Sequence, residues 1–484
     1  MRNIALTFLG CFTILAACSN SDDAEKPVAP IPTGDVTIYS TTNSLTRDLT
    51  RDAVNFSLKD NLAPTSITLN PTEQYQTMDG FGVAITGATC FNLLQMKPED
   101  RHAFLTETFS DDKGFGFSYI RISIGCSDFS LSEYTCCDKK GIENFALQSE
   151  EKEYILPILK EILDINPSIK IIAAPWTCPT WMKVKSLTDL TPFESWTNGQ
   201  LNPAYYQDYA TYFVKWVQAF NAEGIDIYAV TPQNEPLNRG NSASLYMSWE
   251  EQRDFVKTAL GPKFKTAGLA TKIYAYDHNY DYSDIETEKN YPGKMYEDPA
   301  ASQYLAGAAY HNYGGNREEL LNMHKAYPEK ELLFTETSIG TWNSGRDLSK
   351  RLLEDMKEVA LGTINNWCKG VIVWNLMLDN DRAPNREGGC QTCYGAVDIS
   401  NSDYKTIIRN SHYYIIAHLS SVVKPGALRI GATGYADSNI MYSAFENPDG
   451  TYAFVLMNNN EKTKRITFSD GKRHFAYDVP GKSV

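Results

Sequence analysis

"DIYAVTPQNEP", residues 226–236, changes character within a few positions. It begins as an apolar run of strand formers, Ile227 to Val230, and ends on an amide, a carboxylate and a proline. An acid that only keeps a surface soluble needs no such setting. Read as a strand, the run carries Asn234 and Glu235 just past its C-terminal end, where Pro236 cannot extend the backbone ladder.

Seven other runs share this texture: "MDGFGVAIT" (78–86), "FSYIRISIG" (117–125), "SIKIIAAPW" (168–176), "TKIYAYDHN" (271–279), "AGAAYHNYG" (306–314), "ELLFTETS" (331–338) and "GVIVWNLML" (370–378). Amphipathic segments separate them. "EEKEYILPILKEILDI" puts Ile155, Leu159 and Ile162 on one helical face, and "NPAYYQDYATYFVKWVQAFNAEG" does the same with Tyr209, Phe213, Trp216 and Phe220. "SWEEQRDFVKTAL" starts with Ser248 and carries Glu251 three residues on, a capping box. Eight strand–helix alternations predict an α/β fold of the (β/α)8 TIM-barrel kind over residues 78–409. A doubly wound sheet would call for a Gly-rich phosphate turn after its first strand, and "GFGVAITG" matches that fingerprint poorly.

The flanks differ. "MRNIALTFLGCFTILAAC" has one cation, Arg2, then an apolar stretch from Ile4 to Leu15 that is short for a bilayer span. Residues 1–17 read as a lipoprotein signal peptide whose "LAAC" box leaves Cys18 to be lipidated. The polar, Pro-rich residues 18–40 read as a flexible tether. An exported lipoprotein is expected, on the cell surface or the periplasmic face of the outer membrane. Residues 41–77 read as short strands, and residues 410–484 as alternating strands with a hairpin signal at Asp449–Gly450; together they predict an attached β-sandwich built from both chain ends.

The net charge of −14 repels phosphate backbones, so nucleic acid is not an expected partner. Eight cysteines lie beyond Cys18; "CQTC" at 390–393 has the spacing of a short-loop disulfide, and connectivity of the rest cannot be read from spacing. With 7 histidines, no HExxH and no second Cys pair placed for zinc, no metal or other cofactor is expected. A monomer is expected.

In a (β/α)8 barrel the active site forms at the C-terminal ends of the strands. Those ends supply Arg121 and Asp128, Trp176, Asn234 and Glu235, His311 and Tyr313, Glu336, then Trp374 and Asn375. Singly, a glutamate at a strand end is ordinarily a cap, and a tryptophan in "VIVWN" is ordinarily core. Jointly they place two glutamates across one mouth among polar and aromatic groups. That is what glycoside hydrolysis needs: one carboxyl to protonate the leaving oxygen, another to attack the anomeric carbon or activate water.

The motifs "DGFGVAITGA", "RISIGCSDFS", "APWTCPTWMK", "VTPQNEP", "YHNYGG", "FTETSIG" and "VWNLML", in this order, resemble glycoside hydrolase family 30 of clan A. The resemblance implies a retaining β-glycosidase with Glu235 as acid/base and Glu336 as nucleophile. It implies that Asn234 meets the sugar 2-hydroxyl, that Asp128 and Trp176 hold its 4- and 6-hydroxyl side, and that Trp374 lies under the ring. His311 and Tyr313 would orient the carboxylates, and Arg121 would steady the nucleophile. The family's side domain is a β-sandwich from both chain ends. The loop "NEPLNRGNSASLYMSW" and the motif "YHNYGGN" look more like the β-1,6-glucanase branch than the human-type glucosylceramidases. The expected substrate is therefore a β-1,6-glucan, cut internally. A glucosylceramidase-like exo-β-glucosidase acting on a β-glucoside is the alternative, and a non-catalytic glycan-binding lipoprotein is the alternative of another class. A xylanase fits less well, because Asp128 and Trp176 suit a hexose. The chain ends in "DVPGKSV", before the family's last sandwich strand would normally finish.

Overall fold

The computed structural model describes residues 32–57, 62, 64–281 and 285–484. Residues 1–17, read as a signal peptide, Cys18 and most of residues 18–40, read as a tether, lie outside the described residues. At its centre is a closed barrel of parallel strands: β1 (Gly80–Ala84), β2 (Tyr119–Ser123), β3 (Lys170–Ala174), β4 (Ala229–Val230), β5 (Lys272–Asn279), β6 (Gly307–His311), β7 (Glu331–Glu336) and β8 (Cys368–Val373). Each of the eight apolar runs supplies one strand, and β8 closes against β1 with Gly370 opposite Gly80. Closure draws backbones together: a Cβ on Gly82 would sit 1.6 Å from the Tyr119 carbonyl oxygen.

Strand alternation sorts side chains between two cores. Tyr119, Ile172, Ala229, Tyr274, Ala309, Leu333 and Ile372 fill the barrel interior. Ile120, Ile171, Val230, Ile273, Ala308, Leu332 and Val371 face outward and pack on the helices. The helical readings hold in detail. Ile155, Leu159 and Ile162 are buried on one face, though the segment begins as a wider π-turn over Glu151–Ile155. The Ser248–Glu251 capping box has both of its reciprocal hydrogen bonds.

Beside the barrel stands a six-stranded sheet, ordered Tyr452–Asn458, Ile440–Glu446, Leu428–Gly434, Ser66–Thr77, Lys464–Ser469, His474–Val479. Ser66–Thr77, from the N-terminal part, lies at its centre. Val36–Ser40 and Thr50–Val54 form a two-stranded sheet, tied to the larger one where Tyr477 donates to Asp52 (2.7 Å). Two expected boundaries are corrected. Val36–Ser40 is strand rather than tether. Ser411–Ser420 is a fully buried helix in the core that surrounds the barrel, so the side-domain strands begin at Leu428, not 410. Among the described residues Cys390 and Cys393 form a disulfide, and six further cysteines are buried thiols.

Candidate active site

The predicted barrel residues meet at the C-terminal end of the strands. Glu235 lies on the loop after β4, with a left-handed backbone (φ 45°) held by its N–H donating to the Asp277 carbonyl (2.9 Å). A non-glycine residue keeps such a conformation only where its surroundings enforce it, at a cost of roughly 1–3 kcal/mol. Its Oε1 is 3.2 Å from His311 Nδ1, and its Oε2 accepts from the amides of Asn238 (2.8 Å) and Asn241 (3.3 Å).

Glu336 ends β7. Arg121 Nη1 donates to its Oε2 (2.5 Å) and the Tyr313 hydroxyl to its Oε1 (3.0 Å). The two glutamates thus have separate donor sets, an imidazole and two amides for one, a guanidinium and a phenol for the other. Arg121 also donates to Asn234 Oδ1 (2.6 Å). Its guanidinium lies 5.0 and 5.3 Å from the rings of Trp176 and Trp374, which stack on each other with centroids 5.1 Å apart. Such cation–π contacts strengthen when desolvated, and Arg121 is 0% exposed.

Strand five carries no predicted site residue, yet it supplies Asp277. This residue is wholly buried and accepts from Arg121 Nη2 (2.8 Å), Thr231 Oγ1 (2.6 Å) and Thr335 Oγ1 (2.6 Å), with His311 Nε2 at 3.1 Å. A β-bulge puts it there. Tyr274 faces inward and Ala275 outward, so simple alternation would turn Tyr276 in and Asp277 out. Instead Tyr276 (φ 72°) and Asp277 (φ 69°) both take left-handed conformations, the register against β6 shifts, and Asp277 turns in. The "DH" pair closing an apolar run is the only sequence signal for it. His278, next along, brings its Nδ1 to 3.8 Å from Glu235 Oε1.

Asp128 lies on the loop after β2, its Oδ1 buried with no hydrogen-bond partner among the described residues. Three loops are drawn together around it. Arg386 Nη2 donates to the carbonyls of Ser127 (2.7 Å) and Ser242 (2.5 Å), and Gly389 comes so close that a Cβ there would be 2.2 Å from the Asp128 carbonyl oxygen. The Cys390–Cys393 disulfide follows directly, and Cys393 and Tyr394 pair with Gly340 and Ile339 beyond β7. Nothing in the sequence points to Arg386.

The electrostatics follow from burial and partners. Burial raises the Glu235 carboxyl, but the His311 hydrogen bond and the charges of His278 and His311 outweigh it and hold the group well below the usual carboxylate range. Burial lowers His311, yet Glu336, Asp277 and Glu235 push it up to about 9. The two shifts run in opposite directions, and with Glu235 Oε1 facing His311 Nδ1 at 3.2 Å they favour a proton on the imidazole side of this contact. Burial pushes Glu336 up, opposed by His311 and Arg121; because both oxygens accept from strong donors, the charged form is the one its contacts fit. Asp128 is pushed up to about 8, by burial and then by Glu336 and Glu235. Glu235, His278 and His311 place one carboxylate and two imidazoles within 4.8 Å of one another, donor types suited to zinc. His311, however, commits both ring nitrogens to carboxylates, an arrangement for moving a proton.

Residues 78–423 match the description "Glycosyl hydrolase family 30 TIM-barrel domain", and residues 426–484 match "Glycosyl hydrolase family 30 beta sandwich domain". Among solved structures the chain is similar to "The endo-beta1,6-glucanase BT3312": 87% identity, TM-score 0.92, covering 93% of this chain and 98% of that one. It is 32% identical to endo-1,6-beta-D-glucanase BGN16.3 of Trichoderma harzianum over 84% of this chain and 83% of that protein. It is 26% identical to lysosomal acid glucosylceramidase of Mus musculus over 86% of this chain and 82% of that protein.

Proposed function

Since the chain belongs to glycosyl hydrolase family 30 and is a retaining glycosidase, we propose that it cuts β-1,6-linked glucan within the chain, by double displacement between Glu336 and Glu235. The observation carrying the substrate is the 87% identity, across 93% of this chain, with a protein described as an endo-β-1,6-glucanase.

In this reading Glu336 attacks the anomeric carbon, steadied by Arg121 and Tyr313, and forms the glycosyl-enzyme. Glu235 delivers a proton to the leaving oxygen, then takes one from the water that releases the product. Asn234 meets the 2-hydroxyl, Asp128 and Trp176 the 4- and 6-hydroxyl side, and Trp374 the apolar face of the ring. The two carboxyl groups should lie about 5 Å apart, the separation of retaining enzymes.

The likeness to glucosylceramidases favours a second reading, an exo-acting β-glucosidase. Product analysis on pustulan, laminarin and glucosylceramide separates the two. The proposal expects β-1,6-linked oligosaccharides from pustulan; no release from pustulan overturns it. We also propose that Cys18 carries a lipid holding the enzyme to the outer membrane, on the strength of the "LAAC" box. Cys18→Ala should then move the protein from the membrane to the soluble fraction, and an unchanged membrane fraction would refute the anchor.

A further inference from the structure

We propose that Asp277 is a positioning residue for proton delivery: it holds the His311 imidazole, through Nε2, in the orientation and charge state that serve Glu235. The inference rests on the glycosidase reading above. Asp277 is reached by side chains from β2, β6 and β7 and by Thr231 just after β4, and its own carbonyl fixes the Glu235 backbone. Of its two oxygens, Oδ1 faces His311 Nε2 and the Thr335 hydroxyl, while Oδ2 takes Arg121 and the Thr231 hydroxyl. With Nε2 held on a carboxylate, Nδ1 is left facing Glu235 Oε1 across 3.2 Å. A carboxylate behind an imidazole fixes its orientation and stabilises its protonated form, the same logic that operates when a histidine serves a nucleophile.

Two routes lead away from Asp277, and they predict different kinetics. Through His311 it acts on Glu235, whose protonation matters most when the leaving group is poor. Through Arg121 it acts on Glu336, whose attack is needed whatever the leaving group. The bond from Arg121 to Glu336 uses Nη1, and Arg121 is also held by Asn234 and by two tryptophan rings. Among the described residues, the other hydrogen bond of the His311 ring is to Glu235 itself, so Asp277 alone holds it from the side away from the acid. The proton-delivery route is therefore the one that should fail first.

The test is kcat/KM for Asp277→Asn on a series of aryl β-glucosides with phenols of graded acidity, alongside β-1,6-glucan. The expected result is a steeper dependence on leaving-group acidity than in wild type. The loss should be about 100-fold on glucan, within the range of general acid catalysis, and only a few-fold on the best aryl leaving group. The basic limb of the pH profile should also move to lower pH, because losing the negative charge makes the imidazolium easier to deprotonate. The groups facing His311 there are Glu235, Glu336, Asp277, Tyr313 and His278, with Arg121 behind Asp277. An equal loss on every substrate, with the leaving-group slope unchanged, overturns the proposal. Should Asp277→Asn not fold, His311→Asn interrupts the same link and must give the same steepening. A wild-type enzyme inactive on glucan and aryl glucosides alike would sink the glycosidase reading itself, whereas an active wild type with an unchanged slope in the variant sinks only this inference.

Discussion

At the N-terminal end of the barrel, three lysines meet two carboxylates; at the C-terminal end, the carboxyl groups of Asp128, Glu235, Asp277 and Glu336 gather around one arginine and the His311 imidazole. At the first end Lys170 binds Asp79 (2.7 Å), Lys272 and Lys369 bind Glu331 (2.8 and 2.5 Å), and Tyr228 donates to the other Asp79 oxygen (2.9 Å). Every carboxylate oxygen has a donor, and the lysine side chains stay 17–32% exposed, so their charges keep part of their hydration. At the second end Arg121, Asp277 and His311 are 0% exposed, and Asp128 Oδ1 has no partner among the described residues. Burying charge this way is costly. The first arrangement closes a barrel; the second holds charges where a substrate can use them.

Substitutions that treat the two ends alike would break this contrast. Glu336→Gln should lower kcat by about 10⁴-fold or more while leaving oligosaccharide binding measurable by calorimetry; retained turnover would remove Glu336 from its role. In kcat/KM, which reads the glycosylation step, Glu235→Gln should cost about 10²–10⁴-fold on glucan and much less on an aryl glucoside with a good leaving group, and an equal cost on both would count against proton delivery. At the other end, Lys369→Met strips the donor from Glu331 Oε1. Its activity should stay within about twofold of wild type, with a stability loss of about 1–2 kcal/mol in denaturant titration; a large fall in activity would show that the ends are not separate.

The smallest effect is a pH dependence of stability. Burial raises Glu331, but hydrogen bonds from Lys272, Lys369 and Tyr274 bring it down to about 2 from an ordinary 4.5. A carboxyl depressed in the folded state stabilises above its unfolded pKa and loses that contribution as pH falls through the folded one. Stability should therefore decline between about 4.5 and 2, and Glu331→Gln should flatten that decline. An identical slope in the variant would show the lysine cluster carries no such linkage.

How legible each end was in the sequence follows from its geometry. The strands were readable because an apolar run bounded by turns is a local pattern, and so was the Ser248 cap, a four-residue signal. Glu235 and Glu336 were readable because they stand at the ends of such runs. Asp277 was not, because a bulge reverses the face that alternation assigns to it, and a bulge has no sequence rule as firm as alternation. Arg386 was not, because it sits in a loop and acts on carbonyls of two others, contacts that only the folded chain brings together. The helix at Ser411–Ser420 was missed because the strand-rich texture following it drew the boundary too early.

Retention by the two glutamates can be read directly from proton NMR of pustulan during digestion by the wild-type enzyme. Early spectra, taken before mutarotation mixes the anomers, distinguish retention from inversion. New reducing ends should appear first as the β-anomer, on β-1,6-linked oligosaccharides. Appearance of the α-anomer first, or no new reducing ends, would contradict the double displacement on β-1,6-glucan.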